Sequence, residues 1–263
     1  MSVHRRRNMA YRPGPVSYTH LSMTVAMGIS FFLNAAWWLV LTLPLLRRYK
    51  QTHYSPKRQH AVRDAFGTLY RTFREMKSQK HIFLFLLSFF FFIDGVYTVI
   101  DMATAFGSAL GFDSTMLLLA LLLTQIVAFP FALLFGKVAK KYRNDVLIKV
   151  CIVAYTAIAL FAIQLDQAWE FWLLAGCVGM FQGGIQALSR SYFAKIIPPE
   201  KAGEYFGLFD ICGKGASFMG TALVGLSTQL TGSTNWGVSV LAVIFLIGLV
   251  LFHFAAKQSS ARK

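Results

Sequence analysis

The sequence predicts an all-α, polytopic membrane protein of about seven transmembrane helices, and three observations carry that prediction. Of its 263 residues, 56% are apolar and 14% are charged, with 25 phenylalanines and a mean hydropathy of +0.53. A soluble fold of this composition has too little polar surface to face water with. The chain also contains seven nearly uncharged runs close to the length that crosses a bilayer core, about 20 residues at 1.5 Å each. Finally, Lys and Arg crowd alternate connections between these runs and are missing from the others.

The first run covers 23–46, and the next six cover 82–106, 114–136, 146–165, 171–189, 206–230 and 236–256. Residues 1–22 are an N-terminal extramembrane flank, 47–81 a basic cytoplasmic linker, 82–256 a six-helix bundle and 257–263 a cytoplasmic tail. The linker holds Arg47, Arg48, Lys50, Lys57, Arg58, Arg63, Arg71, Arg74, Lys77 and Lys80. The turn after the third run holds Lys137, Lys140, Lys141 and Arg143, the loop after the fifth Arg190, Lys195 and Lys201, and the tail Lys257, Arg262 and Lys263. Because such loops stay in the cytoplasm, the carboxyl terminus is expected inside and, by parity, the amino terminus outside a multi-pass protein of the cell membrane. Arg5, Arg6, Arg7 and Arg12 oppose that orientation and are outweighed by the linker, a conflict hinting that this amino terminus is not a natural one. A polar stretch over 9–18 sets those arginines apart from the first run, unlike a cleavable signal.

The second half of the linker repeats apolar residues at Val62, Phe66, Leu69, Phe73 and Met76, steps of four and three that make one stripe on a basic helix. Two readings fit: a helix lying on the anionic inner leaflet, favoured by the flanking spans, or a calmodulin-like target.

Ionisable groups inside a span cost several kcal/mol unless paired or hydrated, so they are the first candidates for function. Asp94 lies about 18 Å into the second span, near the bilayer midplane. Asp101 is seven residues on, with Tyr97 and Thr98 between them. Asp94 is either the structural partner of a cation on another helix or a cavity carboxylate that binds a proton or a cationic substrate group. Asp210 and Lys214 stand at i and i+4 in the sixth span, a spacing that allows a local pair. If Lys214 instead reaches Asp94, the two form a switchable gate. Gln182, Gln186 and Arg190 form a stripe of hydrogen-bonding groups on the fifth span, either substrate-side or polar glue between helices. Gly179 and Gly183 make a GxxxG packing face there, and Gly95 stands where it could loosen the helix beside Asp94. Pro44 and Pro130 are kinks or helix-end features.

Enzymes find little support. No Ser-His-Asp order, nucleophile elbow, P-loop or HExxH is present, and the histidines lie in flanks or at interfaces. Cys151, Cys177 and Cys212 form no CxxC pair and read as reduced packing residues. No metal site or cofactor is expected, and the net charge of +15 reports cytoplasmic loops rather than nucleic-acid binding.

Several stretches are specific enough to suggest kinship. The first span reads Ser-Phe-Phe-Leu-Asn-Ala-Ala-Trp-Trp over 30–38, and the second contains Asp94-Gly-Val-Tyr-Thr-Val-Ile100. The loop after the fifth reads Gly-Gly-Ile-Gln-Ala-Leu-Ser-Arg-Ser-Tyr-Phe-Ala-Lys-Ile-Ile-Pro-Pro over 183–199, followed by Glu204-Tyr-Phe-Gly-Leu-Phe209 and Gly213-Lys214. Together they resemble the major facilitator superfamily and, within it, the autophagy-related vacuolar amino-acid effluxer family with its prokaryotic relatives. The turn containing Gly136, Lys140, Lys141 and Arg143 looks like the superfamily's basic cytoplasmic motif, with Lys140 where an acidic residue is usual. The resemblance implies that the first span corresponds to the sixth helix of a twelve-helix transporter and that the next six form its C-terminal bundle. It also implies a cavity between two bundles lined by Asp94, Thr98, Gln182 and Gln186. The implied activity is secondary active transport of a small polar solute, with amino acids as candidates, coupled to protons. The alternative is a non-transporting half-bundle, acting as an assembly subunit or left over from an interrupted gene. Its partners would be the lipid bilayer, the solute, and either a separately encoded N-terminal half or a second copy of the chain.

Overall fold

The structure, a computed structural model, describes residues 23–50 and 61–260. The N-terminal flank with its arginines, residues 51–60 of the linker, the side chain of Val62 and residues 261–263 lie outside the described residues. The chain divides into two units, 1–57 and 58–263.

The first unit contains helix α1, Met23–Arg48, 26 residues or about 39 Å. Phe31, Phe32, Trp37 and Trp38 are exposed on it, as on a helix made for lipid. Two of its hydroxyls are satisfied internally, Ser30 donating to the Ala26 carbonyl at 2.9 Å and Thr42 to the Trp38 carbonyl at 2.7 Å. Such internal bonding is what a water-free surround demands. Pro44 lies inside the helix, which continues to Arg48.

The second unit comprises α2 (Ala61–Ser78), α3 (Lys80–Ala109), α4 (Ser114–Val138), α5 (Asn144–Ala162), α6 (Ala168–Ile196), a 3-10 turn (Pro199–Lys201), α7 (Ala202–Thr231) and α8 (Thr234–Ser260). Each expected span falls on one helix, save that 163–165 of the fourth lie beyond the end of α5. The largest discrepancy is α6, which runs seven residues beyond position 189, because hydropathy marks membrane depth while the helix continues through a polar end. Six of the helices, α1 included, are long and apolar enough to cross a membrane. The expected span at 206–230 lies in α7, which falls short on apolarity because it carries Glu204, Asp210, Lys214 and many Gly, Ser and Thr residues. Packing supplies what apolarity does not, since α7 lies against both α3 and α8.

Three tight turns close one end of the bundle. Asp113 caps α4, its carboxylate accepting from the Thr115 and Met116 amides at 2.8 and 3.4 Å, and these N–H groups hold it below the usual carboxylate range. Gln167 and Glu170 form a capping box on α6. Gly232, at φ 69°, ends α7 in the left-handed conformation that glycine adopts at least strain. The basic connections lie at the opposite end.

α3 packs centrally against α8 and α7, α5 fits between α8 and α6, and α4 lies on α6. Apolar burial is a weak force in lipid, so close backbone approach and aromatic contact matter more. A Cβ on Gly179 would stand 2.6 Å from the Thr124 carbonyl oxygen, and one on Gly183 2.9 Å from the Ala132 methyl, so the expected glycine face is the α4–α6 seam. Toward the basic end, Phe85 lies 5.0 Å from Tyr192, 5.7 Å from Phe193 and 6.0 Å from Phe252, and Phe89 stacks on Phe209 at 4.0 Å. Rings at 85, 89 and 92 share one helical face and bind α3 to α6, α7 and α8.

The amphipathic linker helix is α2, and its expected single stripe divides in two. Met76 is fully buried and Leu69 half-buried against the bundle, whereas Phe66 is 69% and Tyr70 72% exposed. Thr72 donates to Glu204 at 2.6 Å, Lys201 to Glu75 at 2.6 Å, and Gln79 to Tyr205 at 3.4 Å. Thr72 and Glu75 thus fasten one face of α2, and Gln79 the junction after it, to the start of α7. Glu75 raises the Lys201 ammonium above its usual pKa by that hydrogen bond.

Candidate functional site

Asp94 lies 14 residues into the 30-residue α3, about 21 Å along it and near its middle. It is fully buried. One carboxylate oxygen accepts the Gly220 amide of α7 at 2.7 Å, while the other, Oδ2, has no hydrogen-bond partner. Thr98, one turn on, is also fully buried, and its hydroxyl likewise has no partner. A side chain at Gly220 would collide with the Thr98 hydroxyl and meet Asp94 Oδ1 at 2.7 Å, so a bare backbone is required for α7 to reach the carboxylate. α3 is unbroken through Gly95, where the Phe245 ring of α8 takes the space that a Cβ would fill. Gly95 is a packing site rather than a break.

The other charged candidates form a second, exposed group. The Arg190 guanidinium of α6 donates to Asp210 of α7 at 2.8 Å, with 60% and 47% of the two side chains exposed. Arg190 also lies over the Phe209 ring at 5.6 Å, and Tyr97 is within electrostatic reach of Arg190, Asp210 and Asp101. The structure therefore pairs Asp210 across helices with Arg190 rather than within α7 with Lys214. Lys214 is exposed and makes no ion pair among the described residues, and the group opposite Asp94 is the Gly220 amide rather than an ammonium. The physical reason is reach: α6 brings the Arg190 guanidinium to 2.8 Å from the Asp210 carboxylate. Asp101 is exposed, Gln186 half-buried, and Gln182 half-buried with Oε1 unpartnered. The polar residues thus separate into a buried pair, Asp94 and Thr98, and an exposed group around Arg190 and Asp210.

In the basic turn, Gly136, Lys140, Lys141 and Arg143 are exposed. Arg143 grips Asp145 with two hydrogen bonds of 3.0 Å, and Asn144 donates to Ser191 of α6 at 3.1 Å. The acidic partner missing at Lys140 is thus met two residues beyond Arg143. A hollow of about 570 Å³ opens here, lined in part by Arg143, Asp145, Tyr192 and Lys195. In the sequence Gly220 stands with Gly207, Gly213 and Gly215 of the sixth span, glycines that mark close backbone approach without naming a partner; Asp145 was not singled out, and an arginine two residues before an acid at a helix start was the available signal for it. Among the described residues no cluster of His, Cys, Asp and Glu could hold a metal ion.

With the buried carboxylate and the exposed charge pair located, comparison with known proteins is decisive. The family model described as "Vacuole effluxer Atg22 like" matches residues 14–263. The chain belongs to the Atg22-like vacuole effluxer family. It is similar to the uncharacterized MFS-type transporter YxiO of Bacillus subtilis strain 168, with 42% identity over 240 residues, 91% of this chain and 56% of that protein. It is also similar to autophagy-related protein 22 of Coccidioides immitis strain RS, 27% identical over 256 residues, covering 87% of this chain and 42% of that one. Autophagy-related protein 22-1 of Penicillium rubens is 28% identical over 261 residues, covering 87% and 43%. The chain spans about half the length of the curated relatives it matches. Family membership and the apolar helices together make this Atg22-like chain a multi-pass integral membrane protein.

Proposed function

We propose that this Atg22-like chain serves secondary active transport of a small polar solute, with amino acids as the first class to test, coupled to proton binding at Asp94. The observation that carries the reading is the buried Asp94 carboxylate, tied by one oxygen to the backbone of a neighbouring helix with the other unpartnered. A group so placed changes its contact with α7 whenever it gains or loses a proton, which is what coupling requires. The test is accumulation of labelled amino acids in sealed vesicles under an imposed pH gradient. Uptake that a protonophore collapses supports the reading. Uptake indifferent to the protonophore removes proton coupling, and its absence for every amino acid removes the solute class.

The exposed Arg190–Asp210 pair is assigned to gating. It lies six to eight residues from the basic-loop ends of α6 and α7, roughly 9–12 Å along them. Arg190→Ala and Asp210→Ala are each expected to lower uptake by about tenfold, equivalent to about 1.4 kcal/mol of barrier. The exchanged variant carrying Arg190→Asp with Asp210→Arg should recover most of it, and uptake as poor as in the single variants would remove the pair from the gate. An exposed pair of this kind also favours a covering bundle in the membrane, whether from the same protein, a separate half or a second copy.

The linker is assigned to the anionic leaflet. Phe66, Tyr70 and Phe73 share one helical side of α2, flanked by Arg63, Arg74 and Lys77, while the opposite side is fastened to the bundle. A nitroxide attached through Phe66→Cys in anionic nanodiscs should sit about 5–10 Å below the phosphates and be relaxed by oxygen. Relaxation by a water-soluble nickel chelate instead would place the helix off the membrane.

A further inference from the structure

A cavity of about 340 Å³ lies inside the bundle among the turn ends of α3 to α8, and each of these six helices contributes to its wall. The wall runs from Thr234, the first residue of α8, to Thr124 and Val178, each ten residues into its helix, so the cavity reaches about 15 Å inward. Its exposed wall residues, Ala105 and Gln229, stand in the last two turns of α3 and α7, which places the opening at the turn end. Ile158, Ala159, Val178, Val224, Val238 and Leu241 are buried in its lining. Polar side chains gather at the rim as Thr228, Gln229 and Thr234. The deeper hydroxyls are spent or shut in, since Thr124 donates to the Ala120 and Ala175 carbonyls at 3.0 and 3.1 Å and Thr98 is fully buried. A buried water keeps about two to four polar partners, which this depth does not offer. A cavity of about 150 Å³ lined by Leu, Ile and Phe stays dry and takes benzene instead, and this one is more than twice as large.

We propose that this cavity holds the hydrocarbon chain of a bilayer phospholipid, entered tail first from the turn-end leaflet with the headgroup left at the rim of Thr228, Gln229 and Thr234. Depth agrees with chemistry, because about 15 Å is one leaflet of a hydrocarbon core about 30 Å thick. α5, at 19 residues about as long as that core, lends the wall Ile158, Ala159 and Ala162 from its last five residues, so the lining lies at the depth of acyl chains. A chain that leaves the bilayer for this cavity gains nothing from the hydrophobic effect, since both surroundings are apolar. It gains dispersion contacts with wall atoms that otherwise face no partner on one side, so occupancy depends on fit. α4 packs chiefly on α6, and a chain touching α4, α7 and α8 together bridges helices that share no extensive contact of their own. The site is independent of the proton-binding role proposed for Asp94 and goes beyond it.

The test is photolabelling of the full chain in nanodiscs that contain a phosphatidylcholine with a diazirine at the end of one acyl chain, followed by peptide mass spectrometry. The expected result is adducts on Ile158, Ala159 or Val178, buried side chains that lipid around the bundle does not reach. The same lipid with its diazirine beside the ester should mark Gln229 or Thr234 at the rim instead. Val238→Phe, which adds a ring to the wall from α8, should lower the interior adducts about tenfold or more and leave those on exposed Val153 and Leu160 unchanged. Adducts confined to exposed positions such as Val153 and Leu160, or interior adducts indifferent to Val238→Phe, overturn the proposal. Interior labelling by a diazirine-bearing benzene with none by the lipid also overturns it, and makes the cavity a site for a small apolar solute. If Val238→Phe fails to fold by gel filtration, Ala159→Leu fills the wall from α5 and is subject to the same expected and overturning outcomes. Labelling requires no transport, so its result stands apart from that of any uptake assay.

Discussion

Asp94→Asn is expected to abolish proton-coupled uptake while leaving the protein in the membrane and folded. The amide keeps an oxygen that can accept the Gly220 N–H, made at 2.7 Å by the carboxylate, so the buried contact survives without the titration. The variant thereby separates charge from shape. The gradient-driven, protonophore-sensitive fraction of uptake should fall to background, whereas exchange of solute down its own gradient should persist. Normal coupled uptake by this variant would remove Asp94 from the mechanism. Asp94→Leu makes the complementary comparison, because it loses the acceptor for Gly220 as well and should lower both uptake and the yield of folded protein.

Gly220→Ala should be the most damaging conservative change in α7. The added methyl would collide with the Thr98 hydroxyl and stand 2.7 Å from Asp94 Oδ1, and the α3–α7 seam must open to admit it. Overpacking of this kind costs about 1–3 kcal/mol. A lower thermal midpoint in detergent, together with lost coupling, is the expected outcome. Gly215→Ala, where a methyl meets nothing, serves as the control and should change neither. Removing the hydroxyl with Thr98→Ala should recover part of the loss, with an interaction energy of about 0.5 kcal/mol or more in the double-mutant cycle. Strict additivity of the two changes would show that the clash is not what destabilises the seam.

The helices were legible because bilayer thickness imposes a length on uncharged runs, and alternate loops carry the cations. Asp94 was legible for the same reason: a carboxylate in the middle of an apolar run stands out. Its partner was not. Gly220 is one of many glycines in α7, and which of them faces α3 depends on how the two helices are rotated about their axes, a tertiary fact that spacing does not contain. Asp210 shows the same limit from the other side. Spacing of four suggested Lys214, but Arg190 is twenty positions away and arrives only because α6 lies beside α7. The stripe on α2 was visible as periodicity, whereas its division into a docked and an open side required the position of Glu204 and Lys201 at the start of α7. The cavity of about 340 Å³ among the turn ends of α3 to α8 left no mark in the sequence, since small and branched apolar residues line filled and empty space alike.

The lengths of α3, α6 and α7 set a further constraint. At 30, 29 and 30 residues they are about 45 Å long, against a hydrocarbon core of about 30 Å, while α5 at 19 residues is about as long as the core is thick. Tilt alone would have to approach about 50° to hide the excess, beyond the usual range of about 0–40°. The surplus must therefore stand proud of the lipid. At the basic end it includes the first turn of α7, the platform to which α2 is fastened. Bilayer thickness thus becomes a ruler for that platform: a thinner membrane lifts α2 away from the headgroups, and a thicker one draws it down among them.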